Sequence, residues 1–150
     1  MDQVTNPTDS LHGYYFEDLE VGMTDVFAKT ITEADIVIFA GISGDTNPVH
    51  LNEEFAAGTM FKGTIAHGML TSAFISTVIG TKLPGPGCIY VSQNLKFKAP
   101  VKAGETVKAK CTITELIPEK KFIKLQTQCI VGDKVVVDGE ATIMVPSRAA

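Results

Sequence analysis

The second half of the chain alternates between apolar and polar residues at almost every position, a pattern typical of strands that bury one face. The alternation runs through four segments, at 89–98, 107–113, 123–131 and 135–145. Short turns join consecutive segments, so we predict four antiparallel strands in one sheet. A weaker alternation over 24–30 predicts one further strand nearer the N-terminus.

A helix is predicted directly after this first strand. Thr32 and Asp35 have the spacing of a capping box at a helix N-terminus, with Asp in place of the usual Glu. The helix should run for about ten residues and end near Gly44. The residues that form its predicted apolar face are Ala34, Val37, Ile38 and Gly41.

Two more helices are predicted before the four strands. Asn52 is placed to cap a short helix over 53–57, which Gly58 ends. The longer helix over 68–80 is apolar on nearly all sides and should be buried. This order of elements, with one strand before the helices and four after them, indicates an α+β fold. In this fold a long buried helix is wrapped by an antiparallel sheet. Because such a sheet has free edges, we also expect a homodimer.

The composition supports one globular domain. The chain has 150 residues, of which 45% are hydrophobic and 20% charged, enough to bury a core without metal or disulfide. We predict a flexible arm over 1–13 and a single domain over 14–150. The net charge of -4 argues against nucleic acid as a partner. The apolar stretch at 69–79 is too short to cross a membrane.

The N-terminal segment and the cysteines indicate a cytoplasmic location. The first ten residues are polar and acidic, unlike a secretory signal. The three cysteines are odd in number and far apart, so we expect reduced thiols. They are Cys88, Cys111 and Cys129. Neither the cysteines nor the three histidines have the spacing of a zinc site, and no metal is expected.

The most informative segment for chemistry is 44–50, between the first two helices. Asp45 and His50 are separated by an Asn-Pro turn that can bring the carboxylate and the imidazole together. Such a pair can hold and polarise one water molecule, because imidazole titrates near neutral pH. From the residues alone, the alternative that Asp45 only caps a turn stays open.

Two positions in the long helix are further candidates. Gly68 begins the helix, where unpaired N–H groups can hold a substrate oxyanion and a glycine allows close approach. The alternative is a glycine needed only for packing. Ser76 lies two turns further on. Its hydroxyl either bonds back to the carbonyl of Ser72 or reaches an active-site group.

The segment 39–50 closely resembles the hydratase-2 signature of (R)-specific enoyl-CoA hydratases, in the MaoC-like family with the hot-dog fold. The resemblance continues through 65–70, 83–85 and 97–101 and covers roughly residues 15–146. It implies addition of water to a trans-2-enoyl-CoA, giving a (3R)-hydroxyacyl-CoA, or the reverse dehydration.

The resemblance also implies roles for individual residues. Asp45 and His50 match the catalytic pair, Gly68 the position whose N–H holds the thioester oxygen, and Ser76 a supporting serine. Asn47 is expected to shape the loop. The acyl chain is expected beside Leu70, Phe74 and Ile75. The family's sites lie at a dimer interface, which also implies a homodimer, and no cofactor beyond the substrate's own coenzyme A is required.

Three other functions share part of this pattern. A 3-hydroxyacyl-acyl-carrier-protein dehydratase keeps the fold and changes the carrier, a hot-dog thioesterase cleaves the thioester, and a binding module has no activity. The lysines that can attract coenzyme A phosphates, or form a solvated strand face, are Lys96, Lys98 and Lys102. Neither the acyl chain length nor the pathway, such as fatty-acid metabolism or polyhydroxyalkanoate supply, follows from the residues.

Overall fold

The structure of the protein is a computed structural model that describes residues 9–149. Five strands form one antiparallel sheet in the order β1-β3-β4-β5-β2. Their bounds are β1 Thr24–Thr30, β2 Ile89–Phe97, β3 Thr106–Ile117, β4 Phe122–Val131 and β5 Lys134–Met144. The sheet predicted from the alternation is confirmed, and the order places β1 and β2 at its two edges.

Four α-helices lie in the connection between β1 and β2. They are α1 Glu33–Ser43, α2 Pro48–Leu51, α3 Glu53–Ala57 and α4 Gly68–Thr81. Helix α4 packs across β1, β3, β4 and β5. The buried core formed between them is apolar and continuous. This confirms the α+β architecture of one long helix wrapped by an antiparallel sheet.

Helix α1 begins as predicted but turns a different face inward. Thr32 and Asp35 form the capping box, yet the buried residues of α1 are Ile36 and Ala40. Val37 and Ile38 are 61% and 59% exposed, so the predicted apolar face was wrong. Both faces of α1 carry apolar residues, and periodicity cannot choose between them. The face left outside is an apolar surface without a partner in the described chain.

Helix α4 is less completely buried than its sequence predicted. Its inner face consists of Leu70, Thr71, Ser72, Phe74, Ile75, Val78 and Ile79. A narrow outer stripe remains exposed, at Met69, Ala73, Ser76 and Gly80. These four positions are spaced so that they share one side of a helix. Helix α4 therefore has one exposed side besides the face that packs on the sheet.

The described residues near both ends of the chain are attached to the body of the domain. The N–H of Gly13 donates to the carbonyl of Pro86 at 2.9 Å. Near the C-terminus, Arg148 donates two hydrogen bonds to the Asp18 carboxylate, at 2.7 and 2.9 Å. Residues 1–8 of the predicted arm lie outside the described residues, and its flexibility stays a prediction. Within 9–149, no helix combines the length and the apolar character needed to cross a membrane.

The capping box of α1 should make stability depend on pH. A hydrogen bond from Lys29 and one from the Thr32 N–H hold the pKa of Asp35 below its ordinary value of 3.8. A carboxyl with a lowered pKa stabilises the fold above its ordinary pKa, and that contribution is lost as pH falls through the lowered value. We expect Asp35→Asn to lower Tm at neutral pH by roughly 1–4 °C.

The pH dependence of Tm distinguishes the loss of the Asp35 hydrogen bonds from the loss of any one negative charge. The difference in Tm between wild type and Asp35→Asn should shrink as pH falls below 3.8. Glu33→Gln is the matched control, because Glu33 lies in the same first turn and makes no side-chain hydrogen bond to the described residues. A difference that stays constant down to pH 2 would contradict the prediction.

Candidate active site

The loop after α1 presents Asp45 at a fixed place. Gly44 ends the helix at a φ of 78°, a left-handed conformation that favours glycine. The Asp45 N–H donates to Ser43 Oγ at 3.1 Å, and Asp45 Oδ1 accepts from the Asn47 N–H at 3.3 Å. Asp45 therefore does shape the turn, as one interpretation held, while its carboxylate stays exposed. The two roles are compatible.

His50 lies on α2, a short helix that the sequence analysis treated as loop. Asn47 caps this helix by accepting from the Val49 N–H at 3.0 Å, and Pro48 occupies its first turn. An Asn followed by Pro is a helix-start signal that was overlooked. Asn47 thus shapes the segment that carries His50, as expected.

The hydrogen bond of His50 determines which ring nitrogen is free. Nδ1 lies 2.8 Å from the carbonyl oxygen of Ile65. A carbonyl only accepts, so Nδ1 carries the proton. In the neutral ring, Nε2 is then the nitrogen with a free lone pair, which is the atom that can take a proton.

His67 joins this pair although the sequence analysis gave it no role. It is 2% exposed, and its Nε2 donates to the main-chain carbonyl of Asp45 at 2.9 Å. Its ring stacks on that of His50, with centroids 3.8 Å apart and planes 27° apart. The sequence points only to the neighbouring Gly68, because nothing local shows that His67 meets a loop 22 residues earlier.

The cluster has the donors of a metal site but not the geometry. One candidate ligand atom each from Asp45, His50 and His67 lie within 4.8 Å of one another. A nitrogen lone pair lies in the plane of its ring, so two stacked rings direct their lone pairs side by side. A bound zinc ion needs them to converge at about 2.0–2.1 Å. The stacked arrangement does not fit such an ion, and we derive no chemistry through one.

Gly68 lies beside the cluster at the start of α4. His67 is its N-cap and makes no side-chain cap bond. Within the described residues the N–H groups of Gly68 and Met69 have no hydrogen-bond partner, whereas that of Leu70 donates to the His67 carbonyl at 3.1 Å. The free N–H groups carry partial positive charge. A Cβ on Gly68 would stand 2.6 Å from Cδ1 of Phe97. A glycine here lets the half-exposed Phe97 ring lie against the start of the helix, and the Gly68 N–H is also available to an anion.

A cavity of about 460 Å³ adjoins Gly68. Most of its lining is apolar and comes from three separate segments. These residues include Met60, Phe61, Ile65, Met69, Phe97 and Val137. These lining residues could not be predicted, because no local sequence pattern shows that 60–65 and 97–101 face each other.

The predicted acyl-chain residues lie elsewhere. Leu70 and Phe74 border a smaller cavity of about 180 Å³, together with Phe39 and Ile42. Ile75 is 1% exposed and belongs to the core, where it lines neither cavity.

Ser76 is not brought to the cluster within one chain. It is on the exposed stripe of α4. Among the described residues its hydroxyl has no hydrogen-bond partner, so the bond to the Ser72 carbonyl is not formed. Ser72 itself donates to Gly68 O at 2.8 Å. Within the single chain, Ser76 therefore neither bonds back to the Ser72 carbonyl nor reaches an active-site group.

The three lysines do not form a purely basic patch. Lys98 Nζ lies 3.7 Å from an Asp138 carboxylate oxygen. Lys96 shares a polar cavity with Asp138 and a second acid. Hydrogen bonds from Thr64 and, more weakly, the charge of Lys102 hold the pKa of Glu53 below its ordinary value. Carboxylates thus accompany each lysine.

The chain is similar to known proteins over most of its length. The profile of the MaoC-like domain matches residues 20–137. The (R)-specific enoyl-CoA hydratase of Rhodospirillum rubrum is 59% identical over 140 residues, 93% of this chain and 97% of that protein. The 3-hydroxybutyryl-CoA dehydratase of Methylorubrum extorquens is 54% identical over 134 residues, 89% of this chain and 85% of that protein.

A solved structure shows the same fold. The unliganded R-hydratase PhaJ1 from Pseudomonas aeruginosa superposes with a TM-score of 0.85 at 45% identity, covering 91% of this chain and 88% of that one. The helix-in-sheet architecture described above is therefore the hot-dog fold. Because the MaoC-like profile matches most of its length, the chain belongs to the MaoC-like family.

Proposed function

We propose that this protein adds water to trans-2-enoyl-CoA thioesters to give (3R)-hydroxyacyl-CoA, and catalyses the reverse dehydration. Its hydratase and dehydratase relatives make it a hydro-lyase. The observation that carries the proposal is a carboxylate and a free imidazole nitrogen next to unpaired N–H groups at a helix start. That combination provides a base for water and a donor for the thioester oxygen.

In the hydration direction, Asp45 and His50 hold one water molecule between them. His50 Nε2 accepts a proton as the water oxygen bonds to C3 of the enoyl group, and the π electron pair of the C2=C3 double bond moves toward the thioester carbonyl to give the enolate. The Asp45–His50 pair then returns one proton to C2, so atoms and charge balance. General acid–base catalysis of this kind contributes about 10²–10⁴-fold.

The N–H of Gly68 donates a hydrogen bond to the thioester oxygen, on which negative charge develops. Because the charge is larger in the enolate than in the substrate, the hydrogen bond strengthens as the reaction proceeds. One such donor is worth about 3–4 kcal/mol in the transition state. The partial positive charge at the start of α4 acts in the same direction.

The two apolar cavities provide space for the substrate. The larger one borders Gly68 and would receive the part of the thioester next to the carbonyl. The smaller one, bordered by Leu70 and Phe74, would hold the acyl chain, with Ile75 supporting its wall from the core.

The assembly that we propose is a homodimer in which the edge strand β2 faces a second copy. Ile89, Tyr90 and Val91 on this strand are 39–54% exposed, and an exposed apolar edge strand favours pairing with another chain. The outer stripe of α4, which carries Ser76, would be covered in the same assembly. A supporting role for Ser76 would then require the second copy.

Coenzyme A, and not acyl carrier protein, is the proposed carrier. An acidic carrier protein would need a basic surface, and Lys98 and Lys102 are each accompanied by a carboxylate. A reducing compartment such as the cytoplasm fits the free thiols. Burial raises the pKa of Cys111 and Cys129 to about 12, which keeps both thiols protonated and unreactive.

Removal of either catalytic group should abolish most activity. We expect Asp45→Asn and His50→Ala each to lower kcat for crotonyl-CoA hydration by about 10²-fold or more. Loss of the enoyl-thioester absorbance gives the rate, and an (R)-specific dehydrogenase identifies the product. Asp133→Asn, in the exposed turn between β4 and β5, is the control and should match wild type.

The assigned roles would be contradicted if Asp45→Asn or His50→Ala hydrated crotonyl-CoA near the wild-type rate while these two variants and Asp133→Asn kept the wild-type Tm. Release of free thiol by the wild type would identify a thioesterase.

Metal removal should leave the activity unchanged. The stacked rings of His50 and His67 do not fit an ion, and general acid–base chemistry needs none. Dialysis against EDTA, followed by the crotonyl-CoA assay in chelated buffer, checks this. A loss of rate that zinc restores would contradict it.

A charge on the β2 edge should separate the two copies. We expect Val91→Glu to sediment as a monomer and to lose activity, while wild type sediments as a dimer. Val21→Glu is the matched control, since Val21 is 60% exposed but precedes β1. A fully active wild-type monomer would disprove the proposed assembly.

A further inference from the structure

Two buried side-chain polar atoms in the described part of the chain have no hydrogen-bond partner, Nδ1 of His67 and Oγ1 of Thr71. The residues are 2% and 1% exposed. His67 is the N-cap of α4 and Thr71 lies four positions later, where its N–H donates to the His67 carbonyl at 3.2 Å. Side chains with this spacing lie on the same side of a helix. Two unsatisfied atoms in one helical turn call for a common explanation.

The two atoms are chemically complementary. His67 Nε2 faces the carbonyl of Asp45, which can only accept, so Nε2 carries the proton and Nδ1 is an acceptor. Thr71 has a hydroxyl proton to donate. Ser72 and Thr81 on the same helix donate theirs to the carbonyl four residues earlier, which is the usual use of such a group. Thr71 makes no such bond, so its donor is free.

We propose that Thr71 Oγ1–H donates to Nδ1 of His67 in the working enzyme, after rotation about the threonine Cα–Cβ bond. The bond completes a chain from Thr71 through His67 to the main chain of Asp45. It keeps the His67 proton on Nε2, where it holds the catalytic loop. The inference rests on the proposed function, in which Asp45 and His50 carry the chemistry.

Thr71 and His67 are positioning residues in this arrangement. The His67 ring holds the Asp45 carbonyl on one side and stacks on the His50 ring at 3.8 Å. A change in its tautomer or tilt therefore shifts both members of the catalytic pair together. Displacements of about 1 Å in reacting groups can cost 10²-fold in rate. The bond to Asp45 restrains only the Nε2 side of the His67 ring. The Nδ1 side is restrained only when Nδ1 also has a hydrogen-bond partner.

The first test replaces the hydroxyl by a methyl group of similar size. Thr71→Val should lower kcat for crotonyl-CoA by roughly fivefold to tenfold, the effect of one lost hydrogen bond, with KM unchanged and Tm equal or higher. Thr71→Ser keeps the hydroxyl and should restore the rate. Thr77→Val is the matched control, because Thr77 lies on the same helix and donates only to the Ala73 carbonyl.

The second test separates the ring of His67 from its donor. His67→Gln keeps an N–H near the position of Nε2 and loses the ring, whereas His67→Phe keeps the ring and loses the donor. We expect the glutamine variant to be the faster of the two. Nitrogen NMR of the substrate-free wild type should show His67 as the Nε2–H tautomer, with an Nδ1 resonance that shifts in Thr71→Val.

These results distinguish this inference from the proposed function. Wild-type kcat in Thr71→Val, or equal loss in the valine and serine variants, would overturn the chain through Thr71. An unshifted Nδ1 resonance would overturn it as well. Full activity in Asp45→Asn would instead overturn the catalytic assignment, whatever the NMR result for His67.

Discussion

Burial of α4 against the sheet is the constraint on which the rest of the molecule depends. Its inner face packs across four strands, so neither the helix nor its first residue can move without opening the core. Because interiors are densely packed, a helix held in this way is a rigid support. His67 and Gly68, which begin α4, are therefore among the most firmly located groups of the site.

The catalytic loop obtains its position from this support through one hydrogen bond. His67 Nε2 donates to the carbonyl of Asp45 across 22 residues of sequence, and the His50 ring rests on the His67 ring. The loop itself is exposed and could not hold a carboxylate by packing alone. A buried imidazole thus connects the rigid core to the groups that are proposed to react, which is the preorganisation that the proposed chemistry needs.

The single chain leaves several apolar surfaces uncovered. The outer face of α1 and the edge of β2 expose several large apolar side chains, and the outer stripe of α4 exposes Met69. Isolated exposed residues of this kind are common, whereas sets of them on one helix face and one edge strand are what the proposed homodimer would cover. Ser76 lies on the exposed stripe of α4, so its predicted support for the site would need the second copy of the proposed dimer.

The order and type of the elements were determined by the sequence alone. Alternation identified all five strands, and capping residues located the starts of α1 and α3, because both signals act within a few residues. The Asp45–His50 pair was found in the same way, since one turn joins them. Even α2 carried its local signal, in Asn47 and Pro48, although it was overlooked.

Tertiary structure decided what depends on distant contacts. Which face of α1 turns inward was decided by packing, because Ile36 and Val37 are equally apolar. The role of His67, the cavity between 60–65 and 97–101 and the location of Ser76 all depend on segments far apart in the chain. A local pattern specifies how a segment folds, but only the packed sheet and helix specify which segments meet.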